Sequence, residues 1–314
     1  MKRISLIVPC LNEEQAIPEF KKEIDRVFTE QLQGYERELI FIDDGSTDST
    51  LQALKTMSET SPEVKYISFS RNFGKEAAIY AGLEAATGDY AAVMDVDLQD
   101  PPALLPDMLK AIEEEGYDCA GTRRTTREGE PALRSFFARA FYKTINKISD
   151  TRIVDGARDY KLMARPVLEA LLSLKEYNRF SKGLYEWVGF RTKWFEYENV
   201  ERVAGETKWS FFKLFRYSIE GILAFSTVPL ALASIMGIML SLVSFLSIII
   251  LMVRELIWHH SAYGWTSMVC IFCMMGGIIL LSIGILGQYL AKTYTEVKGR
   301  PIYIARERST PLAK

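Results

Sequence analysis

Along the first hundred residues, short apolar runs alternate with longer stretches of helix-forming composition. ISLIVPC ends near Pro9, ELIFIDDG ends in Asp43 and Asp44, VKYISFS follows, and YAAVMDVD ends in Asp95 and Asp97. Residues 13–30, 48–58 and 75–87 lie between these runs and read as helices. This alternation predicts an α/β fold with a doubly wound, mainly parallel sheet covered by helices. Such sheets bind ligands at the carboxyl ends of their strands. Polar residues gather there: Asn12 and Glu13 after the first strand, Asp43 and Asp44 after the second, Arg71, Asn72 and Lys75 after the third, and Asp95 and Asp97 after the fourth.

The pattern changes late in the chain. No charged residue occurs from Gly221 to Val253, and after Arg254 and Glu255 a second uncharged run extends from Leu256 to Ala291. A membrane span needs about 20 mainly apolar residues, so spans are expected near Val228–Val253 and Thr266–Leu290. Core helices of soluble proteins of this length rarely lack charge on every face. Just before the first run, residues 207–226 set Trp209, Phe212, Phe215, Ile219 and Leu223 at helical spacing, with Lys213, Arg216 and Glu220 on other faces. That describes an amphipathic helix at a membrane surface. The expected organisation is a soluble unit over 1–206, an interfacial helix over 207–227, a two-helix hairpin over 228–291 and a basic tail over 292–314.

Charge sets the orientation. Lys208, Lys213 and Arg216 precede the first span and Lys292, Lys298, Arg300, Arg306 and Arg308 follow the second, while the loop between them has only Arg254. Lysine and arginine favour the cytoplasmic side, so both termini and the soluble unit are expected there. The start MKRISLIVPC soon meets Asn12, Glu13 and Glu14 and does not read as a secretory signal. His259 and His260 in the outer loop lack a third ligand nearby, and Cys270 and Cys273, though spaced CxxC, lie within the second run and read as packing residues.

The whole chain has 38 Lys+Arg against 40 Asp+Glu, which excludes a generically basic nucleic-acid binder. Residues 1–110 carry 20 acidic and 11 basic side chains, so the excess of positive charge lies later. From Cys119 to Lys147, Arg123, Arg124, Arg127, Arg134, Arg139, Lys143 and Lys147 face only Glu128 and Glu130, a segment suited to an anion. There is no GxGxxG after the first strand and no GxxxxGK[ST], so neither a dinucleotide fold nor a P-loop kinase is indicated. Asp95 and Asp97 instead offer two hard oxygen donors, suited to Mg²⁺ or Mn²⁺ carried in on a diphosphate. Asp100, before Pro101 and Pro102, reads as a helix cap.

VPCLNEE, FIDDGSTDST, FSRNFGKEAAIYAGLEAATGDY and DVDLQDPP, in this order, resemble the family 2 glycosyltransferases. The likeness is to the polyisoprenyl-phosphate branch, which includes dolichol-phosphate mannose synthases and bacterial undecaprenyl-phosphate glucosyltransferases. It continues through GTRR, GARDYKLMAR, NRFSKGLYEWVGF and ERVAGETKWS to the spans. The resemblance implies a GT-A fold, a divalent metal and inversion at the anomeric carbon. It places Pro9, Leu11, Asn12, Glu13, Asp43, Asp44 and Lys75 on the nucleotide and Asp95 and Asp97 on the metal, with Gln99 as an added contact. By the same likeness Arg202 and Lys208 close over the donor diphosphate, Arg123 and Arg134 grip the lipid phosphate, and Asp159 orients the sugar, with a role as base left open. Thr207 replaces the usual serine of GESK, and Ala138 stands where mannose synthases place a serine, with Ser135 nearby.

The implied reaction moves a sugar from a nucleotide sugar, UDP-glucose being favoured, to undecaprenyl phosphate at the bacterial plasma membrane. UDP-N-acetylglucosamine and GDP-mannose are alternative donors. A processive polysaccharide synthase would carry QxxRW and more spans, whereas this chain has Asn178–Phe180 there. A non-catalytic scaffold would not need Asp95, Asp97, Asp159 and Arg202 intact. Gly276, Gly277, Gly284 and Gly287 in the second span allow close helix packing, compatible with a homo-oligomer, though such glycines are common in membrane helices and leave the oligomeric state open.

Overall fold

The computed structural model describes residues 1–124, 146–147, 154, 156–197, 222–258 and 264–309. The four expected strands form: β1 (Lys2–Cys10), β2 (Tyr35–Asp43), β3 (Val64–Phe69) and β4 (Tyr90–Val93). The helices between them are α1 (Ala16–Gln31), α2 (Thr50–Thr60) and α3 (Lys75–Ala85). A single turn of 3₁₀ helix over Pro102–Leu104 leads into α4 (Leu105–Glu113), then β5 (Cys119–Arg124) and β6 (Ala157–Ala164). Next come α5 (Arg165–Ser173), α6 (Ser181–Trp187) and β7 (Thr192–Tyr197). Two long helices, α7 (Val228–Trp258) and α8 (Trp265–Val297), precede a last strand, β8 (Ala305–Arg308).

The eight strands form one sheet in the order β7-β5-β6-β4-β1-β2-β3-β8. Its centre is parallel, with β1 between β2 and β4 and β2 beside β3. The sheet as a whole is mixed, because β6 runs antiparallel to both β4 and β5 and β8 runs antiparallel to β3. The apolar runs are nearly continuous because both faces are covered. Ile4, Leu6 and Val8 of β1 pack with Ile17, Phe20 and Ile24 of α1 and Met108 of α4, whereas Ile7 packs with α3 and α5 on the other face. Helix α3 lies close to the sheet because its inner face is small: a Cβ on Gly82 would sit 2.2 Å from Ile7 Cγ2.

The tail expected over 292–314 is not separate from the sheet. The chain leaves α8 with the amides of Lys298 and Gly299 donating back to Tyr294 and Glu296, then lays β8 along the β3 edge. Tyr303 stacks on Phe69 with ring centroids 4.9 Å apart, and its hydroxyl donates to Glu84 at 2.6 Å. The Ser70 amide donates to the Ile304 carbonyl at 2.9 Å. This strand is four residues of mixed charge, too short to stand out from a basic tail in the sequence.

Helices α7 and α8 contain 31 and 33 residues. At 1.5 Å per residue each spans more than the roughly 30 Å of a hydrocarbon core. Their apolar side chains face outward, among them Ile238, Leu242, Phe245, Phe272, Leu280 and Leu290, all more than half exposed. They are therefore not core helices of a soluble domain, and both are long and apolar enough to cross a membrane. The start of α7 and the end of α8 lie together against the sheet domain. Tyr289 donates its hydroxyl to the Ser226 carbonyl at 2.5 Å, and Phe225 packs on Phe180 and over Gly183. Residues 207–221 of the expected interfacial helix lie outside the described residues, as do His259 and His260 of the outer loop, while residues 222–225 are helical.

Candidate active site

The loops leaving β1, β2 and β3 are tied together by the polar residues at their roots. Asn12, held at φ 56, accepts the Thr47 amide on Oδ1 at 2.8 Å and donates its own amide to Ser46 Oγ at 2.9 Å. The Glu13 amide donates to Thr50 Oγ1 at 2.8 Å. Asp43 accepts the Ser46 amide at 2.9 Å and the Ser68 hydroxyl at 2.7 Å. Asp44 accepts the amides of Phe73, at 2.7 Å, and Gly74, at 3.0 Å. Both aspartates are buried, and burial pushes the Asp44 carboxyl up to about 6 against the two amides that favour its charged form. Gly45, at φ +71, lets this loop approach the next: a Cβ there would meet the Arg71 carbonyl carbon at 2.6 Å. The DDGS segment thus ties the loops after β1, β2 and β3 together, with Asp43 and Asp44 buried at their junction.

Beside that junction lies a charged cluster. Lys75 opens α3 and places its ammonium 2.6 Å from Asp95 Oδ1 at the end of β4 while also binding Asp159 Oδ2 from β6. The antiparallel β4–β6 pairing carries Asp159 to the same sheet end as Asp95, which a wholly parallel sheet with this connectivity would not do. Burial disfavours the charged form of Asp159, but Lys75 first, then Lys182 and Arg158, hold its carboxyl well below the usual carboxylate range. Burial likewise opposes the Lys75 charge, and Asp159 and Asp95 more than reverse that, holding it well above an ordinary lysine. Arg158 donates from Nε to Asp100 Oδ1 at 2.9 Å and lies 3.9 Å from Asp95 Oδ2. Asp100 also accepts the Tyr197 hydroxyl.

These positions sort the expected residues. Lys75 meets both Asp95 and Asp159 directly, so the ion pair of Asp159 is with Lys75. Asp97 and Gln99 follow in a tight turn at Leu98, φ 54, with the Gln99 amide donating to Asp97 Oδ1 at 3.2 Å. A bulky residue at positive φ beside such a cluster is a strained conformation typical of functional loops. Pro9 and Leu11 lie at the end of β1, half-buried. Asp100 does not cap the helix that follows: it is buried and bound to Arg158 and Tyr197, partners fixed only when β6 and β7 join the sheet. Arg123, at the end of β5, pairs with Glu196 of β7. Arg134, Arg202 and Lys208 lie outside the described residues. Arg158, Lys182, Asp100 and Tyr197 adjoin the charged cluster, a placement that sequence reasoning did not give them. The Asp-Pro-Pro turn and the basic residue preceding Asp159 were visible, but their pairing across the sheet was not.

The donor set suits a divalent ion that arrives with its substrate. Among the described residues no group of three or more His, Cys, Asp or Glu side chains converges as a cage. Asp95 and Asp97 are two hard oxygen donors on one turn that could hold such an ion.

The chain is similar to several known proteins. Residues 5–172 match the family model described as glycosyl transferase family 2. The chain is 43% identical to CsbB of Bacillus subtilis (strain 168), over 98% of this chain and 92% of that one. It is 40% identical to the prophage bactoprenol glucosyl transferase homolog of Escherichia coli (strain K12), over 97% of this chain and 98% of that one. Among solved structures it is similar to mannosyl-3-phosphoglycerate synthase from Rubrobacter xylanophilus, with 16% identity and a TM-score of 0.49, over 71% of this chain and 73% of that one.

Proposed function

Because this chain belongs to glycosyl transferase family 2, we propose that it is a membrane-bound, inverting transferase moving a sugar from a nucleotide sugar to undecaprenyl phosphate. The observation that carries this reading is the placement of the Lys75–Asp95–Asp159 cluster in a sheet domain that rests on the ends of two apolar helices. A soluble acceptor would need no such attachment. Glucose from UDP-glucose is the favoured donor, since relatives of nearly equal length carry the name bactoprenol glucosyl transferase. The sheet domain and both termini are assigned to the cytoplasmic side, as the basic residues flanking the hairpin suggest.

The acceptor supplies its own nucleophile, because a phosphate monoester with a second pKa of about 6 is largely dianionic near neutral pH. One of its oxygens bonds to the anomeric carbon as the bond from that carbon to the diphosphate oxygen breaks. The nucleoside diphosphate leaves with the electron pair, and no proton needs to be removed. Asp159, kept ionised by Lys75, Lys182 and Arg158, is a poor proton acceptor and a good hydrogen-bond acceptor for a sugar hydroxyl. This favours orientation over base catalysis. Asp95 and Asp97 would hold Mg²⁺ or Mn²⁺, which when bound offsets charge on the departing diphosphate. Lys75 brings a further positive charge to the same place. Arg202 and Lys208 are proposed to close over the diphosphate, and Arg123 and Arg134 to meet the acceptor phosphate, by family likeness.

The test is to incubate the full-length protein with Mg²⁺, undecaprenyl phosphate and a panel of radiolabelled nucleotide sugars, then extract the lipid. Label in a mild-acid-labile lipid supports the reading and names the sugar. Absence of labelled lipid with every donor overturns it.

A further inference from the structure

The carboxyl-terminal end of α8 holds a carboxylate in an unusual setting. Glu296, one residue before the helix ends, accepts the amide of Tyr177 at 3.0 Å, the amide of Asn178 at 3.1 Å and the Asn178 side-chain amide at 3.2 Å. Asn178 Nδ2 also donates to Thr295 Oγ1 at 2.8 Å. Two consecutive backbone amides and a side-chain amide converge on one carboxylate and form a clasp. The uncharged run of α8 ends at Ala291, and Lys292, Glu296 and Lys298 follow it, so the charged clasp belongs to the polar end of the helix and not to its apolar stretch.

What the clasp grips leads directly to the charged cluster. Arg179, next in the chain, is buried, with its guanidinium 4.7 Å from the ring centroid of Tyr80 on α3. It also donates to the carbonyls of Leu174 and Leu171. The Ser181 amide donates to Glu76 Oε2 at 3.0 Å, and its hydroxyl binds the same oxygen. Glu76 adjoins Lys75, whose ammonium joins Asp95 and Asp159. Lys182 donates to the Ala157 carbonyl at 2.8 Å, two residues before Asp159. Residues 177–182 therefore join the end of a membrane-type helix to both sides of the cluster in six residues.

We propose that Glu296, through Asn178 and the 177–182 segment, is a positioning residue that fixes the height of the catalytic cluster above the bilayer, so that a membrane-held acceptor phosphate reaches the anomeric carbon. The inference rests on the lipid-acceptor reading given above. Glu296 touches no reacting atom; it sets where the reacting atoms meet. An error of about 1 Å in such placement can cost on the order of a hundredfold in rate.

The experiment compares the full-length protein with Glu296→Ala, Glu296→Gln and Asn178→Ala. Three readouts are taken: affinity for the nucleotide sugar, transfer to undecaprenyl phosphate in bilayers, and transfer to a short-chain polyprenyl phosphate soluble in detergent. Glu296→Ala is expected to lower kcat with the bilayer acceptor by roughly ten- to a hundredfold. Donor affinity and transfer to the short acceptor, which can diffuse to the site, should stay within about threefold of wild type. Glu296→Gln keeps an acceptor oxygen and should recover part of the loss, and Asn178→Ala should fall between the two. Wild-type bilayer rates in Glu296→Ala overturn the inference, as does an equal loss in all three readouts, which would mark a purely structural residue. A wild-type protein that labels neither lipid overturns the acceptor reading and the inference with it.

Discussion

The ammonium of Lys75 lies 2.6 Å from Oδ1 of Asp95. Because the same nitrogen also binds Asp159, one cation separates two carboxylates that would otherwise face each other across the site. Lys75→Met is expected to lower kcat/KM by about 10²–10³-fold, the usual cost of losing one preorganised charge partner. Lys75→Arg should retain more, since it keeps the charge. Steady-state kinetics with the donor varied checks this, and a Met variant within tenfold of wild type would contradict the role given to Lys75.

Asp100 is buried and holds both Arg158 and Tyr197. Removing one partner of a buried ion pair typically costs about 3–5 kcal/mol. Arg158 keeps some exposure, so Asp100→Ala is expected near the lower end, about 3 kcal/mol. Thermal unfolding of the single and double variants measures it. The double variant with Arg158→Ala should lose less than the sum of the two singles; strict additivity would deny the pairing.

Asp44 gives a pH prediction. Its native pKa, about 6, lies above the 3.8 of an ordinary aspartate. The native state then binds the proton more tightly, and its stabilising contribution is complete below the lower value and lost as pH rises through the higher one. Wild type should lose unfolding temperature relative to Asp44→Asn between about pH 4 and pH 6, with a constant difference above about pH 7. The opposite trend would show that the Phe73 and Gly74 amides outweigh burial.

Tyr303 joins the chain segment before β8 to β3 and α3. Tyr303→Ala removes the stacking on Phe69 and the hydrogen bond to Glu84. Aromatic-to-alanine changes in full cores cost 3–5 kcal/mol, and this half-buried site should cost about 2 kcal/mol. Hydrogen exchange should quicken at Ser70, whose amide donates to Ile304, and along β3. Unchanged protection at Ser70 would mean that β8 does not brace that strand.

What the sequence made legible was local. Four apolar runs gave β1 to β4, and the polar residues at their ends marked one edge because parallel connectivity brings successive strand ends together. The charge-free runs marked α7 and α8 because a helix in lipid cannot carry charge on its exposed face without cost. What stayed hidden depended on partners distant in sequence. That Asp43 also accepts the Ser68 hydroxyl, and Asp44 the amides of Phe73 and Gly74, was not visible, because these partners come from the next strand and loop. Asp100 read as a cap because its partners, Arg158 and Tyr197, lie 58 and 97 residues away. Strand β8 and the Glu296 clasp were hidden for the same reason. Each joins the chain beyond the hairpin to residues before it.

The central claim is transfer of a sugar to a polyprenyl phosphate at a site built on Asp95 and Asp97. The most direct measurement is mass spectrometry of the lipid formed by the full-length protein, reconstituted in bilayers with undecaprenyl phosphate, UDP-glucose and Mg²⁺, beside Asp97→Ala at equal expression and insertion. A hexosyl undecaprenyl phosphate from wild type, absent from the variant, is the predicted result. The same lipid formed at near-normal rate by Asp97→Ala, or no glycosylated lipid from wild type with any nucleotide sugar, would contradict it.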